Sequence, residues 1–427
     1  MQRFLTVIPL LVVLPLAFAE DRRIDTSELS IMTLNAEFLW DGRGTEEGRV
    51  NFAWKGNPSE ADDHMHDIAQ IIKASDPDMV NLVEVESLAA LNHFNSNFLT
   101  GENYAASLVN GKDSFTGQDV GLLSRIDPDD FGRTDRKGTS SSTEKSVSKN
   151  YFAKFDDING RKIALIGLHF LSRPSDSSRL HPRQAQADAM RDLAVELASE
   201  GYSIVMLGDF NDYDGDTLDH VSSTPITDVL KITREMTPGN ETDDLMNVAS
   251  FVEKNSRYTA HWDQDRQNDV DFPFELTAID HILVSQDLAS NIKDVSIPHD
   301  HDPRSVSDHF AVVVNFDFSG GDAPVGVELF SLLPNPSGNE REDEAITVIN
   351  RSADAVDLNG WVVRDRAGNT WSLDGDLASG ATITFKRNRQ KMALNNGGDE
   401  VELLNGTTVI DEFEYFDSAE DELIFVP

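Results

Sequence analysis

Apolar and polar positions follow two rhythms along this chain, and the rhythm changes near residue 320. In the longer first part, short apolar runs alternate with stretches of helical period. Ser30–Leu34 reads as a strand. Asp63–Ala74 reads as an amphipathic helix with Ile68, Ile71 and Ile72 on one face, ended by Pro77. Asp78–Val85 is a buried strand. Tyr151–Phe155 and Ile163–Leu168 are two more strands, and Asn159-Gly160 between them is a hairpin signal. His181–Ser199 is a helix with Pro182 in its first turn and an inner stripe of Met190, Leu193, Ala194 and Leu197. Ser203–Leu207 and Phe310–Phe316 complete the series. Strands and helices mixed in this way predict a layered α/β or α+β domain.

Ser319-Gly320-Gly321-Asp322-Ala323-Pro324 reads as a linker, placed at 319–326. Beyond it, Ala381, Ile383 and Phe385 alternate with Thr382 and Thr384, and Phe413 and Tyr415 with Glu412 and Glu414. Turn signals fall at Asn359-Gly360, Gly368-Asn369, Asn395–Gly398 and Asn405-Gly406. That spacing predicts a β-sandwich of about a hundred residues. No internal repeat is visible.

Three compositional facts narrow the chemistry. The 427 residues include no cysteine, which excludes disulfides, Cys–His zinc sites and thiol catalysis. A metal site must therefore use carboxylate, amide or imidazole ligands, which points to Mg²⁺, Mn²⁺ or Ca²⁺. The formal charge is −39. Such a surface repels nucleic acid at long range and argues against a protein that coats DNA by neutralising it, though not against an enzyme that meets DNA through one local patch. Against this background the Ser/Thr-rich stretch from Arg125 to Lys149 is locally basic, through Arg136, Lys137, Lys145 and Lys149. It reads either as a contact for a phosphate backbone or as a solvated loop.

The N-terminus has the form of a signal peptide, residues 1–19. Arg3 supplies a basic start, Phe4–Phe18 is apolar apart from Thr6, and Ala17-Phe18-Ala19 gives the small-x-small cleavage pattern. The run is too short to span a bilayer comfortably, and no other apolar run is long enough. The expectation is an exported protein with no transmembrane segment, extracellular, periplasmic or cell-surface. Export without cysteine suits a bacterial source.

The candidate chemistry lies in five segments at or just beyond strand ends. They are Thr33-Leu34-Asn35-Ala36-Glu37, Val80-Asn81-Leu82-Val83-Glu84, Gly167-Leu168-His169, Gly208-Asp209-Phe210-Asn211-Asp212, and the pair Ile279-Asp280-His281 with Ser307-Asp308-His309. Each alone has an ordinary structural reading, as a cap, a turn or a satisfied core histidine. Together they place polar groups repeatedly after apolar strands, where ligand sites of layered α/β proteins lie.

In this order the segments resemble the endonuclease/exonuclease/phosphatase superfamily, which includes pancreatic-type deoxyribonucleases, abasic-site endonucleases, sphingomyelinases and inositol-phosphate phosphatases. The resemblance runs from about Leu29 to Phe318 and rests on GDFND, IDHILVS and SDHF. It implies a four-layer α/β sandwich, two packed β-sheets flanked by helices, over residues 29–318. It also implies roles. Glu84 matches the principal carboxylate ligand of Mg²⁺, with Asn35 organising metal and phosphate and Asp308 approaching as a direct or water-bridged ligand. His309 would contact the scissile phosphate with Asp280 orienting its ring. His169 would bind a phosphate oxygen or protonate the leaving group. Asp209 would orient the attacking water, and Asn211 would bind phosphate. Glu37 is a further ligand or a structural polar group, and Asp119 supports the site in a role left open. Mn²⁺ is an alternative to Mg²⁺, and Ca²⁺ is a candidate structural ion. The acidic run Asp212–Asp216 has the charge for Ca²⁺ but not the spacing of a helix–loop–helix calcium loop.

The tail, residues 327–427, resembles the lamin-tail domain, an immunoglobulin-like sandwich. The matching residues are Leu333-Pro334-Asn335-Pro336, Asp357-Leu358-Asn359-Gly360-Trp361 and Leu394–Asp399. It contains no catalytic set and is expected to attach to a surface, capture substrate or add stability. Three readings follow. The first is a secreted endonuclease acting on DNA, with RNA as a second substrate. The second is a phospholipid or small-phosphoester hydrolase on the same scaffold. It draws on Glu86, which stands where several nuclease relatives carry a basic residue, and would gain from an exposed apolar hairpin. The third is a non-catalytic surface binding protein.

Overall fold

The computed structural model describes residues 19–43, 49–240, 243–318, 326–350, 352, 355–378, 381–416, 418–420 and 423–426. The signal-peptide expectation lies almost wholly outside these residues, as does most of the linker. Up to residue 318 the chain runs through β1 (Glu28–Leu39), α1 (Pro58–Ser75), β2 (Met79–Val85), α2 (Leu88–Phe98), β3 (Ala105–Ser107) and β4 (Asp119–Ser124). It continues through β5 (Asp130–Gly132), β6 (Lys137–Ser140), β7 (Thr143–Ser146), β8 (Lys149–Ile158), β9 (Arg161–His169), α3 (Leu180–Ser199) and β10 (Ser203–Asp209). It ends with α4 (Val229–Arg234), β11 (Met246–Asn247), β12 (Ala260–His261), β13 (Leu276–Thr277), β14 (Asp280–Val284), β15 (Ile292–Ser296) and β16 (Val312–Asp317).

Twelve of these strands make two six-stranded sheets, ordered β15-β16-β1-β2-β4-β3 and β11-β14-β10-β9-β8-β5, while β6–β7 and β12–β13 pair separately. The alternation in β1 explains the layering. Leu29 and Ile31 face inward with Val312, Val314 and Phe316, and meet Ile163, Leu165, Val205, Leu207 and Ile282 of the second sheet. Met32 and Leu34 face outward under Met65, Ile68 and Ile72 of α1 and Leu91 and Phe94 of α2. On the far side Ala164, Ile166, Ile204 and Met206 lie under Met190, Leu193 and Leu197 of α3. Each fully buried side chain of this size contributes about 1.5–3 kcal/mol. The result is the four-layer α/β sandwich.

Local signals set the helix ends. Pro58 opens α1, and Asp76 closes it in a left-handed conformation ahead of Pro77. The Ser87 hydroxyl caps α2 by accepting from the Ala90 N–H. Two expectations change. The first strand runs on to Leu39, because a bulge after Asn35 lets β1 resume pairing with β2. The stretch from Arg125 to Lys149 is ordered rather than loose: β6 and β7 form a hairpin on α3, so close that a Cβ on Gly138 would lie 2.2 Å from the Ala185 carbonyl. Its cations are mostly spent. Arg125 pairs with Asp76 and Asp78, Arg136 with Glu196, and Lys137 with Glu144, while Lys149 is buried.

The tail forms two four-stranded sheets. One holds Thr382–Lys386, Ala345–Asn350, Val327–Leu333 and Ile424–Phe425, and the other Thr370–Ser372, Trp361–Asp365, Asp399–Asn405 and Thr408–Tyr415. Trp361 and Trp371 are in the core between them, with Leu329, Val348, Val363 and Leu403. No helix among the described residues is long and apolar enough to cross a membrane.

Candidate active site

Strand register brings three of the predicted residues side by side. His169 is the last residue of β9 and Asp209 the last of β10, and in this parallel pair they are direct partners. Asp280 is the first residue of β14, which runs antiparallel to β10, so it lies beside Asp209 on the other flank. Gly208 permits the approach. Its φ is +140°, and a Cβ there would sit 2.0 Å from the Leu168 carbonyl oxygen.

The facing sheet supplies the other half. Asn35 is paired with Val83, just before the bulge that carries Glu37, and Glu84 follows on β2. Glu37, Phe38, Glu84 and Asn211 all have left-handed backbone, with φ of 43°, 58°, 64° and 49°. Such conformations cost about 1–3 kcal/mol each and concentrate at functional sites. Ser307, within the third motif, holds Asn35 and His309 of this half together. Its hydroxyl donates to the Asn35 carbonyl at 2.7 Å and accepts from the His309 N–H at 3.1 Å.

Hydrogen bonds then fix the side chains. His309 Nδ1 donates to Asp280 Oδ2 at 2.7 Å, and the Thr259 hydroxyl donates to the same oxygen at 2.9 Å. Asn35 Nδ2 donates to Asp209 Oδ2 at 3.2 Å and lies 3.4 Å from His309 Nε2. His169 Nε2 lies 3.5 Å from Asp209 Oδ2. The Asn211 backbone N–H donates to Asp209 Oδ1 at 2.8 Å. The Asp308 N–H donates to Glu37 Oε2, and the Phe38 N–H to Glu84 Oε2, each at 3.2 Å.

The endonuclease/exonuclease/phosphatase family model matches residues 32–309, and every segment described above falls within that span. The chain belongs to this family. The lamin tail domain model matches residues 322–417. No curated protein matches the chain. Among solved structures it is similar to a humanized TDP2 of D. rerio, at 15% identity, covering 68% of this chain and 99% of that one with a TM-score of 0.40. It is similar to the 3′ phosphatase NExo from Neisseria bound to a product DNA hairpin, at 16% identity, 68% and 99% coverage and a TM-score of 0.44. It is also similar to an endonuclease/exonuclease/phosphatase from Beutenbergia cavernae, at 15% identity, 91% and 100% coverage and a TM-score of 0.44.

Burial governs the electrostatics of this family member's site. Burial, then the like charges of Asp308 and Glu84, pushes the Glu37 carboxyl up to about 8. Burial raises Glu84, with the charge of Lys149 opposing. Asp209 is pushed up to about 7, by burial first and then by Asp280. Burial pulls the two histidines down, but at His309 the charges of Asp280 and Asp308 outweigh it and hold the ring protonated well above 6.5. His169, next to Lys149 and His309, stays well below 6.5. A neutral and a cationic imidazole thus flank a carboxylate that titrates near neutrality.

The carboxylates fit a hard divalent cation, which takes oxygen ligands. The like charges of Asp308 and Glu84 raise Glu37, and that of Asp308 raises Glu84, as happens where negative groups are brought close together. They do not close to the 4.8 Å spacing reached by Asp209, Asp280 and His309. An open set with few protein donors suits Mg²⁺, which retains several waters. The tighter trio is already joined by the His309–Asp280 hydrogen bond.

Two groups escaped the sequence reading. Lys149, first residue of β8 and direct partner of His169, is buried beside Glu84 and Asp209, with its Nζ 3.3 Å from Gln118 Oε1. Burial lowers its proton affinity while those carboxylates restore part of it. The available signal was a lysine opening a strand that pairs with the one ending in His169. Thr259, which holds Asp280, carried no signal. Asp119 lies apart from the cluster. Its Oδ1 accepts from the Gly111 N–H at 2.6 Å, which steadies the loop that carries Asp113 and Gln118 against Lys149. Burial pushes its carboxyl up to about 6. Within Asp212–Asp216, Asp212 pairs with Arg183 and both Asp214 and Asp216 with Arg234, so arginines occupy the charge that suggested Ca²⁺.

Proposed function

We propose that this chain is a secreted, divalent-metal-dependent phosphodiesterase, an endonuclease that hydrolyses DNA, with RNA as a second substrate. The observation that carries the proposal is the meeting of His169, Asp209 and Asp280 on three adjacent strands with Asn35, Glu84 and the Asp308–His309 pair opposite. Glu84, Asn35 and Asp308 would hold the cation, with Glu37 beside them. Bound there, it would supply Lewis-acid neutralisation of the phosphate charge.

The chain's own groups do the rest. Asp209, with its proton affinity near neutrality, accepts a proton from the attacking water. The water oxygen bonds to phosphorus as the bond from phosphorus to the leaving oxygen breaks, and the departing alkoxide takes a proton from solvent water. His309, protonated and fixed by Asp280, donates from Nε2 to a phosphate oxygen. Neutral His169 and Asn211 would bind phosphate oxygens. Because His169 is neutral in the free protein, its part is phosphate binding rather than protonation of the leaving group. The lamin-tail module would attach the enzyme to a surface or capture substrate, and the leader would export it.

One observation favours the second reading, a phospholipid or small-phosphoester hydrolase. Trp262, Phe272 and Phe274 are 71%, 60% and 74% exposed on the segment following β12, whose Ala260 bridges to His309. An exposed aromatic group at the mouth of the site suits lipid contact. Supercoiled plasmid, sphingomyelin vesicles and bis(4-nitrophenyl) phosphate, each offered with Mg²⁺ and again with chelator, separate the readings. Mg²⁺-dependent nicking supports the nuclease. Vesicle hydrolysis without nicking would replace it with the lipid enzyme.

A further inference from the structure

The segment from His261 to Glu275 links β12 to β13 and holds a second group of metal-binding side chains away from the catalytic carboxylates. Asp263, Asp265 and Glu275 each offer an oxygen, and these oxygens all lie within 4.8 Å of one another. Between Trp262 and Glu275 the sequence carries Asp263, Asp265, Asp269, Asp271 and Glu275 against a single Arg266. Among the described residues none of these five carboxylates forms an ion pair with lysine or arginine. Their hydrogen bonds come from the segment's own N–H groups, as where Asp263 Oδ2 accepts from Asn268 N and Glu275 Oε1 from Gln264 N. An oxygen so engaged keeps a second lone pair for a cation.

An acidic loop alone would be unremarkable as a solvated surface, but His261 changes the picture. Its side chain is 95% buried and has no hydrogen-bond partner for Nε2 among the described residues. That nitrogen lies 3.4 Å from Glu275 Oε2, itself buried and accepting from the Asp271 N–H at 3.2 Å. In the tautomer protonated at Nδ1 this nitrogen turns a lone pair toward the carboxylate, and the two repel unless a cation joins them. Adjacent ligands on a first-row divalent ion stand about 3 Å apart for bonds of about 2.1 Å. We propose that Asp263, Asp265 and Glu275 form a second divalent-cation site that His261 joins through its contact with Glu275 when an ion binds, suited to Mn²⁺ or a similar first-row ion because an imidazole then adds to three hard oxygens.

The position gives the site a consequence. The His261 N–H donates to the Asp308 carbonyl at 2.8 Å, and the Trp262 N–H to the Glu275 carbonyl at 2.8 Å. A cation here would clamp both ends of the segment and hold Trp262 and Phe274 at the mouth of the catalytic cleft. The inference does not depend on the proposed function, since it concerns binding alone.

The test counts Mn²⁺ bound per chain by electron paramagnetic resonance and calorimetry. It compares the unaltered protein with the double variant D263N/D265N and with H261Q. The expected result is one fewer ion per chain in the double variant and binding at that site weakened about tenfold or more by H261Q. Trypsin cleavage after Arg266 is expected to slow when Mn²⁺ is added to the unaltered protein but not to the double variant. This readout needs no activity, and circular dichroism checks that both variants fold. Equal stoichiometry in all three proteins, or cleavage indifferent to Mn²⁺, would overturn the proposal by showing that the Nε2–carboxylate contact is bridged by a proton. Binding of Ca²⁺ without Mn²⁺ would overturn the part assigned to the imidazole.

Discussion

Replacing Asp280 with asparagine tests the dyad that holds His309. The Asp280 Oδ2 position accepts from His309 Nδ1 at 2.7 Å and from the Thr259 hydroxyl at 2.9 Å, and an amide oxygen can accept both bonds. The change therefore removes charge while keeping shape. A hydrogen bond to a charged partner is worth about 1.5–3 kcal/mol and a neutral one about 0.5–1.5 kcal/mol. The difference, about 1–2 kcal/mol, is a factor of about 5–30 in rate if it is expressed fully in the transition state. A second loss adds to it. With Asp280 charged, His309 is protonated well above 6.5 despite burial; without that charge its proton affinity falls, because only Asp308 and Asp209 are left to oppose burial. The combined deficit in kcat is expected to reach about a hundredfold in alkaline medium and to shrink on acidification as His309 regains its proton. Asp280 Oδ1 has no partner among the described residues, so an NH₂ placed there is buried without an acceptor and costs about 1–3 kcal/mol of stability. The assay is the pH–rate profile for bis(4-nitrophenyl) phosphate, with unfolding followed in parallel. A deficit below threefold, or one that stays constant across pH, would refute this account of the dyad.

Other substitutions probe the frame. Lys149→Met removes the buried cation beside Glu84 and Asp209 and is expected to lower kcat/KM about 10²–10³-fold, the scale of losing one preorganised donor, with the fold intact. Gly208→Ala forces a Cβ against the Leu168 carbonyl and is expected to cost at least about 1–3 kcal/mol in denaturant unfolding, with activity falling as β9 and β10 part. Arg183→Met strands the fully buried Asp212 and is expected to cost about 3–5 kcal/mol by the same measurement. Asp214 gives a pH signature. Burial alone would raise its carboxyl, but Arg234, His281 and the Asn247 amide hold it below 3.8. Its contribution is therefore complete above pH 3.8 and lost as pH falls through the lower folded value. The stability gap between the unaltered protein and Asp214→Asn is expected to narrow only below about pH 4.

Much of the candidate site was legible because strands end in polar groups. His169, Asp209 and Asp280 each terminate or open an apolar run, and the β9–β10–β14 register turns that linear regularity into contact. Ser307, inside a recognised motif, proved to be a brace as well. What escaped depends on partners distant in sequence. Lys149 looked like one of several surface cations, since local charge does not reveal that strand pairing with His169 draws it inward. Arg136 and Lys137 looked available for phosphate until α3 and β7 supplied Glu196 and Glu144. The exposed apolar feature sought for lipid contact was missed because Trp262, Phe272 and Phe274 are interleaved with acidic residues and show no alternation. The long β1 was cut short because bulged pairing after Asn35 breaks the apolar pattern without ending the strand.

Cleavage of a 5′-labelled DNA duplex by the unaltered protein, Glu84→Gln and His169→Ala, each with Mg²⁺ and with chelator, bears most directly on the catalytic centre. Internal cuts are expected from the unaltered protein only with the metal, with each substitution slowing them by about a hundredfold or more. Cleavage that ignores the chelator, or that proceeds at full rate after either substitution, would contradict a metal-dependent phosphodiesterase centred on these residues.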